Sequence, residues 1–344
     1  EWIYKALVML VIACPCALVI STPVTIVSGL TAAARKGILI KGGVYLEQGR
    51  KLKALALDKT GTITYGKPVQ TDVMVFNGWS EREVRTTAAS LASYSDHPVS
   101  LAIVNASADL KKQDVDSFEA IVGRGVHGAI TGKDFYLGNL RLTEEHFNCP
   151  SEIKATVQRL ESQGKTVILL NDGKQVLGLF AVADTVKNSS REAIEQLHEL
   201  GVKTIMLTGD NPHTAKAIAS QVGIDEARGN QLPEDKHRAV EEHSRIGITG
   251  MVGDGINDAP ALAAADIGFA MGAMGTDTAI ETADVALMDD DLRKIPAFVK
   301  LSRQTYSLLV QNISLALGIK AVFLVLTLMG MGTMWMAVFA DVGA

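Results

Sequence analysis

Three short segments concentrate carboxylates, glycines and hydroxyls in a way suited to handling a phosphoryl group. Asp58-Lys59-Thr60-Gly61-Thr62 offers a carboxylate able to attack phosphorus and form an acyl phosphate. Lys59 and the two threonine hydroxyls lie close enough in sequence to help neutralise the phosphoryl oxygens, and Gly61 permits a tight turn. Gly253-Asp254-Gly255-Ile256-Asn257-Asp258 supplies two more carboxylates within one turn. Mg²⁺ takes one or two carboxylates together with phosphate oxygens, so Asp254, Asp258 and Asp58, with Thr60 beside them, could share one ion. Thr208-Gly209-Asp210 precedes a helix opened by Pro212 and is expected to form a phosphate-binding turn at that helix N-terminus. Lys236, in Pro233-Glu234-Asp235-Lys236, is expected to be the fixed cation over the transferred group. Helix capping would account for one such Asp, but not for three glycine-flanked clusters.

Each cluster ends an apolar run that reads as a buried strand. Ala54 to Leu57 runs into Asp58, Val202 to Leu207 into Thr208, and Ile248 to Val252 into Gly253-Asp254. Helical periodicity over 189–200, 212–222 and 235–244 fills the intervals. This alternation predicts an α/β fold, a doubly wound parallel sheet with its site at the carboxyl ends of the strands. The stretch 69–182 interrupts the sheet after its first strand. Helices over 81–93, 98–112 and 152–163 and hairpin-like strands there predict an inserted α+β domain, with 31–68 and 183–300 forming the parallel-sheet domain. Gly123-Arg124-Gly125-Val126-His127-Gly128 matches a dinucleotide fingerprint, but a hairpin follows it instead of the helix that fingerprint needs.

The chain's 344 residues exceed what one core usually supports. A net charge of −5 argues against nucleic-acid binding, and three cysteines are too few for a disulfide scaffold. Disorder is excluded by a 47% hydrophobic content. A mean hydropathy of +0.19 points to membrane segments. Residues 6–30 carry no charge and are long enough to span the hydrocarbon, and 306–329 contain only Lys320. A third apolar stretch, from Thr333 to Ala344, is too short to cross, so a transmembrane helix (1–30) and a truncated helix pair (304–344) are expected to flank the middle block. The opening Glu1-Trp2-Ile3, already near a membrane helix, is likewise read as a cut end. Arg35, Lys36 and Lys41 after the first span, and Lys294, Lys300 and Arg303 before the second, put that block in the cytoplasm.

Cys14-Pro15-Cys16 sits within the first span. Residues two apart on a helix point about 200° from each other. Pro15 breaks the helix and frees the carbonyl of Val11, so the two thiolates can converge. Soft thiolates select Zn²⁺, Cd²⁺, Pb²⁺ or Cu⁺. The run Met329, Met331, Met334, Met336 is the best argument for copper, but its alternating spacing reads as loop and lipid-facing filler.

The three strand-end motifs, in this order, resemble the phosphorylation domain of P-type ATPases, within the haloacid-dehalogenase-like superfamily. The resemblance implies that Asp58 is phosphorylated by ATP. Related phosphatases carry a second acid two residues on, where this chain has Thr60. A positioned general base is worth ~10²–10⁴ in rate, so an aspartyl phosphate here is expected to be long-lived. In heavy-metal members the nucleotide-binding domain is similar to the insert, with a His-Pro pair, Gly-x-Gly and a Gly-Asn turn. These fall on His97-Pro98, Gly123 with Gly125, and Gly138-Asn139, implying that ATP lies against them. Those members often carry Glu where Ala92 stands. Asn312-x₇-Lys320 with Asp341-Val342-Gly343 resembles the zinc/cadmium/lead-exporting subgroup. That implies a transported ion held by Cys14, Cys16 and Asp341, with Lys320 as counter-cation in the empty site. An actuator domain and earlier spans are expected elsewhere in the protein, as partners in a plasma- or inner-membrane pump that takes ATP and Mg²⁺. The alternatives are a Cu⁺ transporter, a membrane-tethered phosphatase and a metal sensor.

Overall fold

A computed structural model of the chain describes residues 2–14, 16–253, 258–272 and 281–339, and of residues 16 and 17 the backbone. Asp254, Pro15, Asp341 and the side chain of Cys16 lie outside the described residues. Two sheets organise the block between the two apolar ends. The first runs β1 (Ile38–Ile40), β13 (Val285–Leu287), β12 (Ile267–Met271), β11 (Thr249–Gly253), β2 (Ala54–Asp58), β9 (Lys203–Leu207), β10 (Glu226–Arg228). All neighbours are parallel except β1 with β13. Every residue of β2, β11 and β12 is buried, as a sheet covered on both faces requires. One face packs Ile194 and Leu197 of α8 (Asn188–Glu199) and Ile218 and Val222 of α9 (Pro212–Val222). The other packs Ala239 and Val240 of α10 (Pro233–Ser244) against Ala56, Ile205 and Met251.

The second sheet is antiparallel and its strands fall between residues 69 and 183. Its order is β3 (Val69–Val75), β8 (Val176–Ala183), β7 (Thr166–Asn171), β6 (Lys133–Gly138), β5 (Gly125–Ile130), β4 (Asp116–Ile121). Helices α4 (Glu81–Ala92) and α5 (Pro98–Ala106) cover one face and α7 (Ser151–Glu161) the other. A capping box starts α4, in which the Ser80 hydroxyl accepts from the Glu83 N–H and the Ser80 N–H donates to the Glu83 carboxylate at 2.9 Å. The hairpin expected after Gly128 is present. Ile130 pairs with Lys133, and Thr131 and Gly132 both take positive φ, the turn that suits the strands' twist. The helix expected over 98–112 stops at Ala106, whose carbonyl is taken by the Arg85 guanidinium.

Two helical stretches are long and apolar enough to cross a membrane, Trp2–Arg35 and Lys294–Leu328. The first is interrupted at Cys14 between Trp2–Ala13 and Cys16–Arg35. The second is one helix of 35 residues, beginning twelve residues before its apolar run. The extra turns exist because Ile295, Phe298 and Val299 pack into the first sheet's core. The methionine run, expected as loop and lipid-facing filler, is in part helical. Met334 to Val338 form a short helix capped by Thr333, and Met334 packs against Val8, Ile12 and Ala337. Met329 and Met331 precede that helix and are exposed.

Candidate active site and membrane site

Asp58 ends β2 in the middle of the sheet, paired in register with Leu207 of β9, and β11 ends alongside it at Gly253. Open-sheet sites form at this carboxyl edge. The chain then turns sharply. Gly61 takes φ +73°, and both the N–H and the hydroxyl of Thr64 donate to the Lys59 carbonyl at 3.0 Å. The Lys187 ammonium, 4% exposed, donates to the Gly61 carbonyl at 2.5 Å and fixes the turn from below. Thr60 is half-buried in it. The buried Thr62 hydroxyl has no hydrogen-bond partner among the described residues.

Lys236 reaches in from the first turn of α10. Its ammonium donates to Asp58 at 2.5 Å and to Asp258 at 2.8 Å, and all three residues are at most 7% exposed. Burial alone would lower the ammonium's pKa. The two carboxylates outweigh it and hold the pKa above the ordinary lysine value. Lys59 forms an ion pair with Asp210 instead of facing open space. Burial pushes the Asp210 carboxyl up, but Lys59 and hydrogen bonds from Thr166 and Thr208 bring it below the ordinary value. Thr208 donates to Asp210 at 3.0 Å and accepts from its N–H.

One sequence expectation changes here. The first amides of α9 do not face a phosphate, because Asn211 caps them by accepting from His213 and Thr214 at 2.9 Å. The Gly209 N–H, by contrast, donates to none of the described residues.

The described carboxylates suit a hard cation. Asp58, Asp258 and Asp210 outnumber Lys59 and Lys236 by one negative charge. Asp258 is seated by Gly253, where a Cβ would fall 2.6 Å from the Asp258 Cβ. An oxygen-only donor set with excess negative charge fits Mg²⁺. Among the described residues no three His, Cys, Asp or Glu side chains form a ready metal cluster.

The second sheet places the remaining candidates. His97 caps α5, its Nδ1 accepting from the Val99 N–H at 3.3 Å, so the helix start accounts for His97 as well as Pro98. His97 is exposed. Desolvation lowers its pKa, Asp210 opposing and Lys59 reinforcing the shift, which places His97 within electrostatic reach of the β2 edge. Gly123 has φ +71° with open space on its Cβ side. Gly125 and Gly138 let two backbones approach: a Cβ on Gly125 would lie 2.3 Å from the Leu137 carbonyl oxygen, and one on Gly138 2.3 Å from that of Arg124. Asn139 ties this turn together, donating to the Gly123 carbonyl at 3.1 Å. Ala92 is fully buried.

In the membrane segment, the Val11 carbonyl accepts from the Cys14 N–H at 3.1 Å where the helix breaks. The Lys320 ammonium donates to the Ile12 carbonyl at 3.2 Å and to that of Cys14. Asn312 donates to the Thr25 hydroxyl at 3.2 Å. Lys320 is thus brought to Cys14. Three further residues escaped the sequence reading: Lys187, Thr166 and Asp184. Asp184 accepts from the Thr64 hydroxyl and from the Gly66 and Lys67 N–H groups where the two sheets join. The signal for Asp184 and Lys187 was available, since Asp184-Thr185-Val186-Lys187 also follows a buried strand.

The fold is an α/β domain with its charged cluster at the carboxyl edge of a mostly parallel sheet, and a family model for haloacid dehalogenase-like hydrolases matches residues 52–266. The chain belongs to that family. It is 46% identical over its whole length to a probable cadmium-transporting ATPase of Alkalihalophilus pseudofirmus, covering 49% of that protein. It is likewise 46% identical to a zinc/cadmium/lead-transporting P-type ATPase of Escherichia coli, covering 46% of it. The chain therefore spans about half the length of the curated relatives it matches. A crystal structure of a zinc-transporting PIB-type ATPase in an E2.Pi state superposes with a TM-score of 0.77 at 46% identity, covering all of this chain and 56% of that one. The P-type ATPase resemblance of the sequence is borne out by these relatives.

Proposed function

We propose that this chain is the catalytic part of an ATP-driven exporter of a soft divalent metal ion (Zn²⁺, Cd²⁺ or Pb²⁺) in a multi-pass membrane protein. Residues 31–68 and 183–300 act as its phosphorylation domain and 69–182 as its nucleotide-binding domain, both in the cytoplasm. The observation that carries this reading is the buried Lys236 ammonium held between Asp58 and Asp258 at the carboxyl end of the central strand.

An Asp58 carboxylate oxygen attacks the γ-phosphorus of ATP in line with the leaving oxygen. The bond to ADP breaks, and an aspartyl phosphate forms. Lys236 stabilises the charge on the transferred oxygens, its fixed position costing no reorganisation at the moment of reaction. The Gly209 N–H and the Thr62 hydroxyl, which has no partner among the described residues, donate to the same oxygens. Asp210 holds Lys59 beside the nucleophile. Mg²⁺, held by Asp58 and Asp258 with Asp254, would supply neutralisation of the phosphate charge. ATP is positioned against the Gly123–Gly125 turn braced by Asn139, and by His97. Thr60 puts no second acid two residues after Asp58, so the acyl phosphate persists long enough to be coupled to transport. The cargo ion is taken by the thiolates of Cys14 and Cys16 with Asp341, and Lys320 occupies that charge environment when the ion has left. A carboxylate beside two thiolates suits a divalent ion better than Cu⁺.

Labelling with ³²P from ATP in the intact protein tests the reading. Asp58→Asn should abolish acid-stable label, whereas label surviving that substitution would overturn it. ATPase stimulation by Zn²⁺, Cd²⁺ or Pb²⁺ but not by Cu⁺ is expected for the cargo.

A further inference from the structure

Asp210 serves two masters. Its Oδ2 accepts from Thr208 and pairs with Lys59, next to the nucleophile, while its Oδ1 accepts from the Thr166 hydroxyl at 3.0 Å. Thr166 is the first residue of β7, in the second sheet. The Asp210 carboxylate thus hydrogen-bonds the phosphorylation edge to the inserted domain.

The surroundings make this a built dock. One residue earlier, the Lys165 carbonyl accepts from the Thr214 hydroxyl of α9 at 3.0 Å, and Thr214 is fully buried. Gly164, with φ +81°, passes close to Ile218 of the same helix: a Cβ there would lie 3.4 Å from the Ile218 Cγ1. The Lys165 ammonium runs the other way, to Asp72 of β3 at 2.6 Å, tying the docking segment into its own sheet. Thr166 is also in register with Val182, beside the point where β8 leaves the sheet for Asp184. The dock therefore sits near the two connections about which the sheets can turn. Near a pivot, rotation produces small displacements, and a hydrogen bond is lost once donor and acceptor part by about 1 Å beyond contact.

We propose that Thr166 is a positioning residue that reports the seating of the nucleotide-carrying domain to the nucleophile's neighbourhood. With the domain seated, Thr166 orients the Asp210 carboxylate, and Asp210 in turn orients Lys59. When the domain swings away, Asp210 loses one of its donors and Lys59 its fixed direction. This rests on the phosphoryl-transfer reading above, and it adds that transfer from ATP is gated by a hydroxyl that touches neither ATP nor Asp58.

The test uses the intact protein and two phosphoryl donors. Thr166→Val keeps the side chain's shape and removes the hydroxyl; Thr166→Ser keeps the hydroxyl. Thr166→Val should slow phosphoenzyme formation from ATP about tenfold at saturating ATP, the order expected for one hydrogen bond to a charged group. The KM for ATP should stay within about twofold. Thr166→Ser should restore the rate. Labelling of Asp58 from inorganic phosphate, which needs no seated nucleotide, should be unchanged in both variants. A wild-type rate from ATP in Thr166→Val, equal losses from ATP and inorganic phosphate, or no rescue by Thr166→Ser would each overturn the proposal. Failure of the underlying reading looks different: the unsubstituted protein would then take label at Asp58 from neither donor.

Discussion

Replacing Lys236 with methionine removes one charge and nearly preserves side-chain volume, and the structure says what should follow. The ammonium lies 2.5 Å from Asp58 and 2.8 Å from Asp258. At an effective dielectric of about 20, each contact carries roughly 6 kcal/mol of gross attraction. Most of that offsets the cost of burying three charges. Removing one partner of a buried pair nevertheless costs about 3–5 kcal/mol, because the remaining charge stays buried and uncompensated. Here two carboxylates would be left facing each other. Lys236→Met should therefore lower the stability of the parallel-sheet domain by about 3 kcal/mol or more. Added Mg²⁺ should recover part of this, since a divalent cation binds the folded carboxylates and not the unfolded chain. Denaturant unfolding of the detergent-solubilised protein, with and without Mg²⁺, measures both effects, and ³²P labelling from ATP should fall below detection in parallel. Unchanged stability together with full labelling would refute the reasoning that this lysine holds the edge together and bears on the transferred group.

Two other outcomes follow from the second sheet. Gly125→Ala forces a Cβ to 2.3 Å from the Leu137 carbonyl oxygen at φ +151°. It should therefore cost several kcal/mol by strain and overpacking and raise the KM for ATP, as read by thermal unfolding and ATPase titration. His97 keeps its cap only while Nδ1 is unprotonated, and its folded pKa lies below the unfolded 6.5. The cap's contribution is complete above pH 6.5 and is lost as pH falls through the folded value, so ATP KM should rise on acidification. His97→Asn, an equally good cap without a titration, should flatten that pH dependence.

What the residues announced beforehand was local. Asp58 with its glycine turn, the buried strands that end at the same edge, and the Thr131-Gly132 hairpin all depend on neighbours a few positions away. What stayed hidden depends on distant partners. Thr166 and Asp210 are 44 positions apart, and Lys187 and Gly61 are 126 apart, so no spacing rule links them. Lys236 was legible as a candidate fixed cation in the first turn of its helix, but its sharing between two carboxylates depends on how distant elements come together. The α9 amides were misassigned although Asn211, before Pro212, is a favoured N-cap type, and its side chain had already taken them. A residue before a helix-opening Pro98 is itself a local capping signal, and His97 takes that role.

The unbroken helix from Lys294 to Leu328 has a mechanical consequence. Its Ile295 end is cemented among Phe298, Val299 and the sheet that carries Asp58, while Lys320 grips carbonyls at the break in the first helix. At 1.5 Å per residue these points are separated by about 38 Å of stiff rod. A tilt of only about 5° at the sheet end would sweep the far end by roughly 3 Å over that length. That is as wide as the grip of Lys320 itself. A lever of this reach needs no large domain swing to release an ammonium from its carbonyls.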